Sequence, residues 1–464
     1  MKRMPLSLIA HWVGGELLGE DVAIDAITQD TRSLSVGSLY VALRGERFDG
    51  HDFAADAVAR GAAAVLVERE LASVGLPQVR VADSQRALAR IAQAMQQGRV
   101  TQVFAITGSN GKTSVKTLLL AILQQAGRVA GTTVYANPGN RNNEIGLPLA
   151  VIDAPEDADF AIYEMGAGKP GDIAYLTEIV RPDFALVNNI AAAHLQRMRN
   201  LLGVAQTKAA IYAALPDAGL AAINADDAFG LWFEQSVLSG TRRRLLRYAL
   251  DVAAELHVRD LVLDEAGSRF TLVSPQGQVE VTLALPGRHN VRNALAAAAL
   301  ALGVDIPLAQ VADGLAQARP VAGRQVQHRL PGGAVLIDDS YNANPGSLNA
   351  AIEALAAGPS EGWLVLGDMR ELGPESEALH AAAGQRARAA GLKRLYALGP
   401  LSAAAAAAFG EGGQVFADHA ALAVALRREL RVGVCCLVKG SRGSAMDKIV
   451  NALLAHEEEV PNVA

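Results

Sequence analysis

Thr107-Gly108-Ser109-Asn110-Gly111-Lys112-Thr113-Ser114 is the stretch on which the reading of this chain turns. The apolar run 102–107 before it predicts a buried strand, and the pattern after it predicts a helix from 113 to about 125, capped by Gly127. A glycine loop between strand and helix lets backbone N–H groups turn inward around phosphate oxygens, while the helix N-terminus adds positive potential. Gly108, Ser109, Asn110 and Gly111 form such a cradle, Lys112 neutralises the terminal phosphates, and the Thr113 hydroxyl reaches Mg²⁺. The longer form of this motif has glycine where this chain has Ile106, so the loop is of the shorter T-G-x-x-G-K-T kind. The competing reading, an ordinary glycine turn with a chance lysine, is disfavoured by the flanking strand and helix.

Downstream, strand and helix patterns alternate to about residue 318, which predicts a mostly parallel sheet covered on both faces. A strand at 160–163 ends in Glu164, where an acidic side chain lies at the ligand crevice of such a sheet and can hold Mg²⁺. Another strand, 184–190, runs on to His194, placed for a second metal ion. Lys208, on the helix after it, reads by itself as part of a solvated face. Gly287-Arg288-His289-Asn290-Val291-Arg292-Asn293 precedes an apolar helix at 294–302. The amides of Asn290 and Asn293 suit an adenine edge, with a helix N-cap as the alternative for Asn290.

Upstream of about residue 98, a helix at 7–13 stopped by Gly14-Gly15, short strands at 38–43, 63–67 and 78–81, and a polar segment at 44–52 predict a small mixed α/β domain. Beyond 320–324, strands at 334–338, 363–366, 394–398 and 435–438 with helices between them predict a second, Rossmann-like doubly wound unit. Its segment 338–345 offers Asp339 for ribose hydroxyls, the aromatic face of Tyr341 and a proline-fixed turn. The expected fold is therefore α/β in three domains, 1–98, 99–319 and 320–464, around a central P-loop ATPase-like doubly wound sheet, with hinges near 98 and 320.

Composition narrows the function. The chain has 464 residues, enough for about three domains, and its 51% hydrophobic and 19% charged content is far from that of a disordered protein. A net charge of −6 argues against a nucleic-acid partner, so an anionic ligand needs local donors. Cys435 and Cys436 are adjacent and point to opposite faces of a strand, which gives neither a disulfide framework nor a zinc site and fits a reducing compartment. The longest uncharged apolar run, 395–410, is broken by Gly399-Pro400 and too short to span a bilayer. A soluble, cytoplasmic monomer without membrane insertion is expected.

Together these segments resemble the Mur ligase family, ATP-dependent amide-forming enzymes of peptidoglycan precursor synthesis. The family-wide marks are 107–113, Glu164, His194, Lys208, 290–293 and Lys439-Gly440-Ser441-Arg442. Four further segments are similar to the branch that adds D-alanyl-D-alanine: 48–51, 137–148 with its Asn142-Asn143 pair, 338–345 and 367–373. The resemblance implies ATP and Mg²⁺ as cofactors, and UDP-N-acetylmuramoyl-tripeptide and D-alanyl-D-alanine as substrates joined through an acyl phosphate. Lys112, Glu164, His194 and Lys208 would be catalytic, and Thr113, Glu164, His194 and Lys208, if carbamylated, would hold metal. Asn290 and Asn293 would contact adenine, Arg324, Asp339 and Tyr341 the rest of the nucleotide. Thr31, Arg32, Asp49, His51, Asn142 and Asn143 would serve the UDP-linked substrate, and Lys439, Ser441 and Arg442 the dipeptide's carboxylate. The alternatives are another ligase of the same family, amino-acid-adding or folate-polyglutamylating, and a nucleotide-gated binding module.

Overall fold

The structure, a computed structural model, describes residues 1–45, 48–264 and 267–455, so two residues of the polar 44–52 segment lie outside it. The first domain opens with the helix Leu6–Val13, which buries Leu6, Ile9, Ala10 and Val13 and ends where Gly14 takes a left-handed φ of 66°. Five strands follow in the order Glu16–Leu18, Gln78–Arg80, Ala64–Val67, Ser38–Val41, Ala26–Thr28, parallel except for the first. Asp83 caps the helix Ser84–Gln97 by accepting the Arg86 N–H at 2.9 Å, and Leu88, Ile91, Ala92 and Met95 gather on its buried face.

The middle domain is built on six parallel strands ordered Arg244–Tyr248, Leu220–Asn224, Phe184–Val187, Gln102–Thr107, Phe160–Glu164, Val134–Ala136. Chain order reverses between Gln102–Thr107 and Phe184–Val187, and the glycine loop leaves the sheet at that switch point, where α/β sheets bind ligands. Three expectations are corrected here. The helix after the loop, Lys112–Ala130, runs past Gly127 to a left-handed Gly131, because Gly127 lies inside the helix, where a Cβ would come within 2.4 Å of the Thr132 carbonyl oxygen. The strand expected at 184–190 stops at Val187, freeing Asn188 and Asn189 to turn toward the loop. Regular alternation also fails after 248: His257–Leu263, Ser268–Ser274 and Gly277–Leu283 form a separate antiparallel sheet.

The third domain carries six strands ordered Val326–Arg329, Val335–Asp339, Val434–Lys439, Glu361–Gly367, Arg394–Leu398, Gly413–Phe416, parallel except for the first. The two edge strands, Val326–Arg329 and Gly413–Phe416, escaped the sequence reading because they are short and half polar. Its sheet is covered on both faces by its own cores, one around Leu348, Ile352, Leu366 and Phe409, the other around Trp363, Tyr396, Leu426 and Ile449. By contrast, one core runs unbroken from Ile9, Ile91 and Met95 of the first domain to Leu147, Ile152 and Leu176 of the middle one. Among the described residues no helix is long and apolar enough to cross a membrane.

Candidate active site

The loop 107–113 is held from behind before it can hold anything in front. Thr107 Oγ1 donates to the Met165 carbonyl at 2.9 Å, Ser109 N–H to the Asn189 carbonyl at 2.9 Å, and Asn110 N–H to Asn189 Oδ1 at 2.8 Å. Asn188 Nδ2 returns a bond to the Asn110 carbonyl at 2.9 Å and another to Asn293 Oδ1 at 3.0 Å. Gly111 has φ of 76°, and a Cβ there would lie 2.5 Å from Asn293 Oδ1, so both backbone shape and crowding require glycine. Two loop amides are thus engaged in framing, and the open N-terminus of Lys112–Ala130 is left to face the cleft.

At the carboxyl end of Phe160–Glu164 three side chains converge on one carboxylate. Thr113 Oγ1 donates to Glu164 Oε2 at 2.8 Å, Asn142 Nδ2 to Oε1 at 2.9 Å, and Lys116 Nζ lies 3.3 Å from Oε2. Burial works to raise the Glu164 pKa, but Lys116, Lys112 and these hydrogen bonds outweigh it and hold it below the usual range. Lys116 also donates to the carbonyls of Asn137 and Gly139, at 2.9 and 3.1 Å, pinning the 137–142 turn beside the carboxylate. Lys112 Nζ meets the Gly108 carbonyl at 2.8 Å; burial lowers its pKa and Glu164 opposes that. Among the described residues no three His, Cys, Asp or Glu side chains converge to hold a metal ion. The oxygens of Thr113 and Glu164 are a partial set, which fits a hard cation whose other ligands are phosphate oxygens and water.

Lys208, far from being solvated, is 2% exposed on the helix Leu201–Ala213 and borders the same cleft with no hydrogen-bond partner among the described residues. Burial, reinforced by Lys112, pushes its pKa well below the ordinary lysine value, favouring the neutral amine. His194 sits in the left-handed region at φ 54°, and its Nδ1 is hydrogen-bonded to Glu371 of the third domain. Burial lowers the His194 pKa, with Glu371 pulling the other way.

The third domain closes the far wall. Arg324 Nη2 donates to Thr113 Oγ1 at 2.9 Å and its guanidinium stacks 4.2 Å above the Tyr341 ring. Asn344 Nδ2 donates to Asn110 Oδ1 at 2.7 Å while its own Oδ1 caps the helix Pro345–Ala356. Asp339 and Lys439 form a buried pair at 2.5 Å, and Lys439 also reaches the Asn342 carbonyl at 3.0 Å. These groups and the loop border one cleft of about 910 Å³. Asn290 and Asn293 border it too; Asn290 is no N-cap, since the helix Arg288–Leu302 starts at Gly287 and Asn290 Nδ2 donates to the Pro286 carbonyl at 2.9 Å.

Other expected residues stand elsewhere. Ser441 is buried, accepting the Arg370 N–H at 2.8 Å, whereas Arg442 is exposed beside Asp447. Asn143, by contrast, borders the cleft and accepts the Gly146 N–H at 2.8 Å at the start of a helix. Arg32 is gripped by Asp30, whose carboxyl Arg32 lowers to about 2, and Thr31 lies beside it. His51 is buried: its ring joins Nδ1 to Asp49 at 2.5 Å and accepts the Glu68 N–H on Nε2 at 2.9 Å, so both nitrogens are engaged in the domain's framework. Sequence reasoning passed over Lys116, Asn188 and Asn189, and singled out Glu371 and Asn344 only as members of the 367–373 and 338–345 segments, with no role of their own. It also missed Asp226, which accepts the Leu250, Asp251 and Val252 N–H groups at the cleft's rim. The signal for Asp226 was available, since an acidic pair follows the carboxyl end of the strand Leu220–Asn224.

Comparisons with known proteins follow the same three divisions. The model for the Mur ligase family catalytic domain matches residues 23–96, that for the Mur ligase middle domain 106–301, and that for the Mur ligase glutamate ligase domain 323–442. The UDP-N-acetylmuramoyl-tripeptide–D-alanyl-D-alanine ligase of Escherichia coli (strain K12) is 44% identical over 458 residues, 98% of this chain and 99% of that protein. The enzyme of the same name from Haemophilus influenzae is 37% identical, covering 96% and 97%. Among solved structures, MurF from Acinetobacter baumannii superposes with a TM-score of 0.90 at 29% identity, over 98% of this chain and 99% of that one. MurF ligase from Thermotoga maritima in complex with ADP gives 0.81 at 25% identity, over 93% and 98%.

Proposed function

The chain belongs to the Mur ligase family, and from that membership we propose that it joins D-alanyl-D-alanine to UDP-N-acetylmuramoyl-tripeptide with cleavage of ATP. One observation carries the reading: the glycine loop, at a sheet's switch point, faces the 339–344 turn of another domain across one cleft of about 910 Å³. That is room for a nucleotide tail and a second reactant together.

The tripeptide's carboxylate attacks the γ-phosphorus of ATP, the bond to the bridging oxygen breaks, and ADP and an acyl phosphate result. The neutral amine of D-alanyl-D-alanine then attacks the acyl carbon, phosphate leaves, and the amine's extra proton passes to solvent. Two anions must meet in the first step, so Lys112 and the open helix end beside it offset their repulsion. Thr113 and Glu164 are the residues that would hold Mg²⁺, with His194 nearby; the ion, when bound, withdraws charge from the phosphates. Lys208, in its neutral form, is an amine that can add CO₂, losing one proton and becoming a carbamate; its burial, the lowered pKa and its lack of a partner among the described residues support that reading. Asn290 and Asn293 serve the adenine, Arg324 and Tyr341 the phosphate and ribose side. Residues 1–98 take the UDP end through Thr31 and Arg32, 99–319 take ATP, and 320–464 bring the dipeptide, whose carboxylate meets exposed Arg442.

Incubation with ATP, Mg²⁺, UDP-N-acetylmuramoyl-tripeptide and D-alanyl-D-alanine, followed by mass spectrometry, tests the proposal. The pentapeptide with one ADP per amide bond is expected. Product from another amine only, or ATP hydrolysis with no amide, refutes it.

A further inference from the structure

The segment Gly367-Asp368-Met369-Arg370-Glu371-Leu372-Gly373 is accounted for inside its own domain except at Glu371 and Gly373. Asp368 accepts the N–H groups of Leu401 and Ser402 at 3.1 and 2.8 Å. Met369 is buried, its N–H on His380 Nε2 at 2.8 Å; Arg370 N–H binds Ser441 Oγ at 2.8 Å; Leu372 is buried in the core. Glu371 instead leaves its domain, and its carboxylate meets His194 Nδ1 on the middle domain. Both residues of this contact are non-glycine and left-handed, φ 54° at His194 and 63° at Glu371. Such backbone persists only where its surroundings impose it, and here it occurs at both ends of a single contact. Beside it the Gly373 backbone packs on that of Gln196, where a Cβ would lie 3.6 Å from the Gln196 Cα. As stabilisation the pair counts for little, since the side chains are 38% and 58% exposed. Its consequence is orientation. With Nδ1 facing a carboxylate, the ring is fixed in one tautomer and Nε2 is the nitrogen left for the cleft.

We infer that Glu371 is a positioning residue for the ligation: delivered by the third domain, its carboxylate fixes the His194 ring on the middle domain, so the cation-handling side of the cleft is complete only when the two domains are docked. The inference rests on the ligase reading of that cleft. By linkage, whatever cation His194 helps hold then favours docking as much as docking favours the cation.

The test compares the full-length chain with Glu371→Gly, which keeps the left-handed backbone and removes the carboxylate, and Glu371→Gln, which keeps an acceptor for Nδ1–H. Nitrogen-15 histidine NMR with a non-hydrolysable ATP analogue, assigned through His194→Ala, reads the tautomer. The Mg²⁺ concentration for half-maximal pentapeptide synthesis reads the consequence. Glu371→Gly should lose the single His194 tautomer and raise that Mg²⁺ midpoint by about 10-fold, with the KM for the UDP-linked substrate and the melting temperature unchanged, and Glu371→Gln should recover most of both. An unmoved tautomer or an unmoved Mg²⁺ midpoint in Glu371→Gly overturns the inference. Absence of pentapeptide from the unaltered chain would instead overturn the ligase reading, and the NMR comparison would still decide whether Glu371 orients His194.

Discussion

Across residue 98 the first and middle domains share a buried apolar core, in which Ile91 and Met95 of one pack with Leu147, Ile152 and Leu176 of the other. Gln93 reinforces it by donating to the Glu178 carbonyl across the junction at 3.0 Å. Across residue 320 the contacts are polar: Arg324 on Thr113, Asn344 on Asn110, Glu371 on His194. Burying one large aliphatic side chain contributes about 1.5–3 kcal/mol, whereas one hydrogen bond contributes a net 0.5–1.5 kcal/mol, roughly. The first junction is therefore a fixed wall, which removes the expected hinge at 98, and the second is a seam that separates without opening a core. A reaction that must admit a nucleotide and then exclude water needs that asymmetry.

The comparison breaks first at the seam's floor. Lys112→Ala should lower the ligation rate by about 10³-fold and leave the melting temperature nearly unchanged; steady-state kinetics with calorimetry decides, and retained turnover removes the phosphate role of the loop. Lys208→Met should also abolish most ligation, by about 10²-fold, yet stabilise the chain in bicarbonate-free buffer. The sign follows from linkage. With the Lys208 pKa lowered from 10.5 in the folded chain, the unfolded chain binds more protons between the two values, so folded stability rises with pH across that window. The stabilisation by Met should accordingly be greatest at the low end and fade as pH approaches 10.5, which melting curves at several pH values will show.

At the fixed wall the signs reverse. Ile91→Ala should cost about 2–5 kcal/mol of stability and lower the unfolding midpoint of the first and middle domains together, while kcat stays within about 2-fold; separate unfolding of the first domain would mean that the shared core does not couple them. The smallest effect belongs to Asn344→Ser, which keeps an oxygen to cap the helix Pro345–Ala356 but is too short to reach Asn110; about 1 kcal/mol of docking is lost, which should appear as looser docking in small-angle scattering with ATP analogue, with stability nearly unmoved. Equal compaction in the variant would show that the Asn110 contact does not help hold the seam.

Legibility followed the range of the interactions. The glycine loop, Glu164 at its strand end and the helix Leu6–Val13 were readable because each is set by neighbours in sequence: a phosphate-shaped turn, a short unbroken apolar run, a glycine stop. The antiparallel sheet 257–283 was legible too, in the alternation of Phe270 and Leu272 with Arg269 and Thr271, but was masked by the α/β rhythm around it. The end of Lys112–Ala130 was misplaced because Gly127 is a packing glycine and looks like a stop only to a local rule.

By itself, then, the sequence determined that a nucleotide-type loop sits on a buried strand in the second of three α/β units, since strand, turn and helix propensities act over a few residues. Tertiary structure alone decided that Lys208 is buried and, among the described residues, unpartnered, that Glu371 reaches His194 from 177 positions away, and that one junction is a core and the other a seam. Those outcomes depend on which surfaces lose their water when distant segments meet, and sequence spacing carries no record of that.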